Sequence, residues 1–450
     1  MRDNARLKRD LDGFDKAKRL AALREIVASG EKFKPIGNNL NLHLHSFFSY
    51  NANNWSPAHL ALAAKRNGLM AAGLCDFDVL DGLEEFLEAG RILGLRVTVN
   101  LETRAYLKDF ADLELTSPGE PGVTYIMGAG FPRTPAAGTP QAGTLQAFRD
   151  QARARNIALL GRINARLPRI AIDYEGDVLP LTPAGVATER HIVRAYNRQS
   201  REAFDSPEAL TAFWAETLGK DAATVARLLT DEPAFEEAIR SKLVKKGGLG
   251  YEQPTTTTFP PVEDFVAWVR SCDAIPMATW LDGTSQGESD EDRLLDTMME
   301  KGCAALNIIP DRNWNLKDPQ QAAAKRANLA KIVAAAVKRD LPINIGTEMN
   351  KAGLPFVDDL GGEILRLYRE PFTRGAHVMV GHQILTRYAG YSYAGSAAAA
   401  EFGKVADRNA FFASVGALPP LTEEVDRQLA GADPMKALRT IREAVEKGAW

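Results

Sequence analysis

Short apolar runs separated by helical stretches, each run ending in a polar or acidic residue, constrain this chain more than any other feature of its sequence. LNLHLH (40–45) alternates strictly, with Leu40, Leu42 and Leu44 on one face and Asn41, His43 and His45 on the other. Ser56-Pro57 then opens a helix, serine as the cap and proline at the first helical position. MAAGLC (70–75) ends in Asp76, and after a helix from about Gly82 to Ile92, RVTVNL (96–101) ends in Glu102. The rhythm breaks near 110 and resumes near 262. There a helix (262–271), the strand AIPMAT (274–279), a helix near 290–301, the strand CAALNII (303–309), an Ala-rich helix (319–339) and the strand LPINIG (341–346) follow. Strands alternating with helices imply a parallel sheet. Closed into a barrel, such a sheet collects its site at the C-terminal strand ends. The polar residues there are His43, His45, Asp76, Asp78, Glu102, Thr279, Asn307, Asp311 and Glu348.

The stretch between 110 and 262 reads differently. Residues 117–145 are rich in Gly, Pro and Thr, helical segments cover 187–203, 208–219 and 233–246, and GGLGYEQPTTTTFPP (247–261) is a loop. The expected organisation is an N-terminal helix (1–36), a barrel in two pieces (37–109 and 263–356), a mostly helical insertion (110–262) and a helical C-terminal extension (357–450). The fold class is α/β, a TIM-like distorted β/α barrel. Its 450 residues, 45 % of them hydrophobic, suffice for a large barrel core. A net charge of −3 argues against general nucleic-acid binding. The first thirty residues have no apolar h-region and no apolar run reaches membrane length, so no membrane association and a cytoplasmic location are expected. Three widely spaced cysteines form neither a zinc ribbon nor a disulfide framework. The terminal helices offer surfaces for a homo-oligomer.

His-x-His on a strand puts two imidazoles on one face about 7 Å apart, close enough to converge on one divalent metal. The segment 41–106, from NLHLHSFFSY through SPAHLALAAKRNGL and GLCDFDVLDG to NLETRAY, resembles the opening of PHP-domain (polymerase and histidinol phosphatase) phosphoesterases. Order, spacing and connecting apolar pattern match that family's His-x-His strand, Ser-Asp-Gly turn, Ser-Pro helix start, Asp-His-Asp strand end and Gly-x-Glu strand end. VTYIMGAGF (123–131), IPMATW (275–280) and IGTEMN (345–350) look like its later barrel strands. The resemblance implies a barrel that hydrolyses phosphate esters or nucleotides with a cluster of metals, which lower the pKa of a water and neutralise phosphoryl charge.

Carried over residue by residue, His43, His45 and Glu102 match the family's ligands. Glu348 stands for its final aspartate and Asn350 for its final histidine. Tyr50 replaces the aspartate of the Ser-Asp-Gly turn, and Phe77 replaces the histidine between Asp76 and Asp78. Tyr125 and either Thr279 or Trp280 replace two more histidines. The resemblance therefore implies one divalent metal (zinc, manganese or iron) on His43, His45, Glu102 and Glu348. Asp76 or Asp78 would be base or orienter. TERHIVRAY (188–196) resembles a helix that faces substrate phosphate in nuclease-like members, so Arg190, His191, Arg194 and Asn350 are the expected substrate contacts. Asp311, Arg312 and Asn313, at a strand end, are read equally as ligand contacts or loop hydrogen bonds. The expected function is a PHP-like metal-dependent phosphoesterase with a reduced metal site acting on a small phosphate ester or nucleotide, its expected partner being a small phosphorylated molecule. The alternative is an inactive barrel that binds a phosphorylated or sugar-like ligand or a protein partner.

Overall fold

The computed structural model describes residues 2–450, with side chains from Arg6 onward. Seven strands form one sheet in the order of the sequence: β1 (Asn41–Leu44), β2 (Ala71–Phe77), β3 (Arg96–Tyr106), β4 (Val123–Ala129), β5 (Ile275–Trp280), β6 (Ala305–Ile308) and β7 (Ile343–Ile345). Just beyond β7 the chain returns to β1. His45 N donates to Glu348 O at 2.9 Å and Glu348 N to His43 O at 2.8 Å. That parallel bridge brings the last strand against the first and nearly closes the sheet into a distorted barrel. Gly346 permits the approach, because a Cβ there would sit 2.4 Å from the His43 backbone nitrogen.

One strand departs from the expected parallel pattern. β4 pairs antiparallel with both β3 and β5. The link from β3 to β4 holds only a short 3₁₀ turn, Lys108–Phe110, and a helical crossover is what a parallel return requires. β4 also lies inside the range assigned to the insertion, so the barrel extends to Ala129 and the inserted helices begin at Pro140. Because β4 is reversed, its N-terminal end faces the barrel mouth. Tyr125 there pairs across the ladder with Arg104.

The insertion has its own hydrophobic core. The helices Pro140–Arg166, Glu189–Ala203, Pro207–Leu218, Ala222–Thr230 and Glu232–Leu243 enclose Ile163, Tyr196, Trp214, Val225, Phe235 and Ile239. This cluster is separate from the barrel core, which runs continuously from the N-terminal helices to the C-terminal ones. The N-terminal region is two helices, Arg2–Leu11 and Lys16–Ala28, where the sequence reading has one. Arg19 on the second is fully buried and forms a bidentate pair with Glu85 on the helix Leu83–Leu93. In the C-terminal part, the helix Arg369–Ala389 packs against β3 and β7. No helix among the described residues is long and apolar enough to cross a membrane.

Candidate metal centre and its cavity

β1 sets His43 and His45 two residues apart, and the returning chain brings Glu348 beside them. Ligand atoms of His43, His45 and Glu348 all lie within 4.8 Å of one another. Glu102, at the register position opposite Phe77 of β2, lies against both histidines but outside that three-residue group. His43 Nε2 is 3.7 Å from Glu102 Oε1, and His45 Nε2 is 3.5 Å from Glu102 Oε2. All four side chains are buried. Glu348 and Asp78 hold left-handed backbone, φ 65° and 61°. Non-glycine residues adopt this at a cost of about 1–3 kcal/mol, and such strain concentrates at functional positions.

Hydrogen bonding behind the histidines fixes what they present. Asp76 accepts from Ser46 N at 2.7 Å, Ser46 Oγ at 2.6 Å and Ser49 Oγ at 2.7 Å. Ser49 has one proton, and it goes to this carboxylate. Its oxygen, 3.2 Å from His45 Nδ1, must then accept from an Nδ1–H. His45 Nε2 is left as a bare lone pair facing the Glu102 carboxylate, with no hydrogen-bond partner. Burial, helped by the neighbouring His43, lowers the His45 pKa to about 3, so the ring stays neutral. Two acceptors facing each other in a buried site repel unless a cation or a proton lies between them. Both ring nitrogens of His43 are also without partners. Burial lowers the His43 pKa, but Cys75 and Glu102 outweigh it and hold the ring well above the usual histidine value. Burial raises the Glu102 carboxyl. On Glu348 burial is outweighed by Arg312, 3.0 Å from Oε2, and by the two histidines, which hold the carboxyl at about 2. Two imidazoles and two carboxylates gathered this closely form a group that could hold a divalent metal.

These residues open onto a cavity of about 950 Å³ between the barrel mouth and the insertion. His45, Asp78, Glu102, Glu348 and Asn350 line it, as do Tyr50, Phe77 and Tyr125. Phe77 and Tyr125 meet edge to face at 6.2 Å. Burial pushes the Tyr50 phenol up to about 12, so it stays protonated. It donates to Glu236 at 3.2 Å and accepts from Arg194 at 2.8 Å. Asp78 accepts from Thr103 Oγ1 at 2.6 Å, and burial raises its carboxyl.

Several expected site residues are placed elsewhere. Asp76 lies behind the cavity wall, its oxygens occupied by Ser46 and Ser49, which fits an orienter of His45 and not a base. His191 is buried at the start of the helix Glu189–Ala203. Its Nδ1 accepts from Thr188 N at 3.1 Å, and burial lowers its pKa to about 3. It is a neutral group that caps its own helix through Nδ1 and does not line the cavity. Arg194 is spent on Tyr50 and Glu236. Of that trio only Arg190 lines the cavity, paired with Glu237. Thr279 and Trp280 are buried outside the cavity lining. Asp311 and Arg312 line it, whereas Asn313 donates to the Leu281 and Ile309 carbonyls. The sequence reading missed Ser46, Ser49, Arg104, Arg155, Arg240 and Lys245. Only Arg104 left a signal, two residues past Glu102 on the same strand face.

No family model matches the chain. No curated protein matches it. Among solved structures it is similar to a candidate metal-dependent phosphoesterase from Bifidobacterium adolescentis, at 17 % identity and a TM-score of 0.46, over 75 % of this chain and 98 % of the other. It is also similar to an amidohydrolase from Chromobacterium violaceum with bound sulfate and no metal, at 18 % identity and a TM-score of 0.47, over 74 % and 95 % of the two chains.

Proposed function

We propose that this protein is a metal-dependent hydrolase of the PHP type that cleaves a small phosphate ester at a single divalent metal. The observation that carries the reading is the bare His45 Nε2 set against the Glu102 carboxylate, with unpartnered His43 and a strained Glu348 completing the ring of donors. His43, His45, Glu102 and Glu348 would hold the ion, which would supply water activation and neutralisation of phosphoryl charge. Asp76 acts through Ser49 to keep the His45 tautomer and ring orientation. Asp78, a carboxyl on the cavity wall with a raised pKa, is placed to take a proton from water or return one to the leaving oxygen. The inserted helices roof the cavity, so they limit the ester to a small molecule and exclude bulk water around it.

A second reading, an inert barrel that only binds its ligand, is favoured by two features. Aromatic side chains stand at Tyr50, Phe77 and Tyr125, and Arg312 already engages one oxygen of Glu348. One experiment separates the two: metal analysis of protein purified without chelator, beside a His43→Ala/His45→Ala variant, followed by a phosphoester screen. About one metal per chain, absent from the variant, with turnover of a phosphate monoester, is the expected result. Metal without turnover selects the binding reading. No metal in either protein, even after soaking with zinc, manganese and iron, overturns the metal centre.

A further inference from the structure

The wall of the cavity beside the metal centre is basic in a way the centre does not use. Arg104 projects from β3 two residues beyond Glu102, so it lies on the same strand face about 7 Å further along. Arg155 comes from the opposite side, on the inserted helix Pro140–Arg166. The two guanidinium carbons each lie 4.5 Å from the centroid of the Phe259 ring. They are therefore at most about 9 Å apart, near enough for both charges to act on one anion in the cavity.

The protein balances these two charges to different degrees. Arg104 has Glu120 at 3.1 Å. Arg155 donates to the Thr258 carbonyl at 3.2 Å, and among the described residues no carboxylate comes within ion-pair distance of it. Burial and the nearby Arg104 lower its pKa to about 10, as expected of a cation short of counter-charge. Further along the wall, Glu189 lies between Arg240 and Lys245, and Arg240 also meets Glu237 at 3.7 Å. Arg155 is thus a cation on the cavity wall with no carboxylate partner among the described residues, set beside Arg104, which has one. A guanidinium held in a cavity without a carboxylate is costly unless an anion arrives with the ligand.

We infer that Arg104 and Arg155 form a second anion subsite, so that the ligand of this cavity is a small molecule with two anionic groups, one at the metal centre and one on the Phe259 wall. This deepens the phosphoesterase reading and rests on it for the first group only. The substrate class is a phosphate ester carrying a further phosphate or carboxylate, set apart from the first by roughly the two-residue spacing of Glu102 and Arg104.

The subsite is testable without the metal. Inorganic phosphate titrated calorimetrically into chelator-treated full-length protein should bind. Binding should weaken about tenfold or more in Arg155→Met and in Arg104→Met, since each removes a hydrogen bond to a charged group. It should be unchanged in His43→Ala/His45→Ala. Melting curves of the variants show whether they fold, and Arg155→Gln is the second choice if Arg155→Met does not. Metal-loaded wild type should bind 1,4-butylene bisphosphonate at least about tenfold tighter than butylphosphonate, with the gain lost in either arginine variant. No phosphate binding by the wild type, or equal binding in both arginine variants, overturns the subsite. Phosphate binding that survives in a protein shown to take up no metal leaves the subsite standing and removes the metal centre alone.

Discussion

The two sides of the cavity are built by different kinds of chain. The β1–β3 side is strand: His43, His45, Asp78 and Glu102 come from three adjacent parallel strands, and the ladder fixes their spacing. The facing side belongs to the insertion, whose helices and loop supply Arg155, Arg190, Arg240, Lys245 and Phe259. Strands hold donor atoms within fractions of an ångström, which a metal needs. An anion bound by long cationic side chains tolerates more freedom. On the proposed reading the donor atoms sit on the strands or just beyond their ends, while the anion-binding charges are split between Arg104 on β3 and the insertion.

Breaking one side without the other is the sharpest trial of this contrast. Trp214 is fully buried at the centre of the insertion core, in contact with Phe213 and Phe235. Trp214→Ala should cost the insertion about 3–5 kcal/mol. Because that core is separate from the barrel's, metal retention by the strands should survive while phosphate binding falls. Calorimetric unfolding beside metal analysis checks both, and a joint loss would mean that the two cores are one cooperative unit.

A subtler change tests the strand side alone. Asp76→Ala removes the acceptor that takes the Ser49 proton, so His45 loses its fixed tautomer. Metal affinity should fall about 10- to 100-fold, as for other residues that orient a ligand from behind. Competition against a chromogenic chelator measures it. Affinity equal to wild type would mean that the Asp76–Ser49–His45 chain does not set the ligand.

The smallest expected effect concerns pH. Asp358, beyond β7, is buried with one oxygen on Trp314 Nε1 at 2.9 Å and the other without a partner. Burial raises its pKa from the ordinary 3.8 to about 7. Between those values the folded state keeps a proton that the unfolded chain releases. The group therefore lowers stability progressively as pH rises through that window, and in full above it. Asp358→Asn is neutral throughout, so its gain in Tm over wild type should be larger near pH 8 than near pH 5. An equal gain at both would show that Asp358 ionises freely in the folded protein.

Much of the barrel was legible because its signals are local. The His43/His45 alternation, the Ser56 cap and the apolar runs ending at Asp76 and Glu102 fall where the strands and helix lie, with boundaries a residue or two adrift. The reversal of β4 was not legible, since an apolar run has no direction. Glu348 as a neighbour of His43 and His45 came from the resemblance alone: nothing local ties residue 348 to residue 45 before the sheet curls back. His191 misled because a His-containing helix start reads alike whether the imidazole faces a ligand or caps its own backbone.

By itself the sequence determined the strands and helices and put two histidines and a glutamate at strand ends, because period-2 and helical patterns and turn residues act over a few neighbours. Only the tertiary structure decided that β4 runs backwards, that Asp76 serves His45 through Ser49, and that Arg104 and Arg155 share one ring across the cavity. Those outcomes depend on side chains from distant segments meeting in a buried space. There each polar group must find its partner or be left without one, and that accounting exists only once the chain has closed on itself.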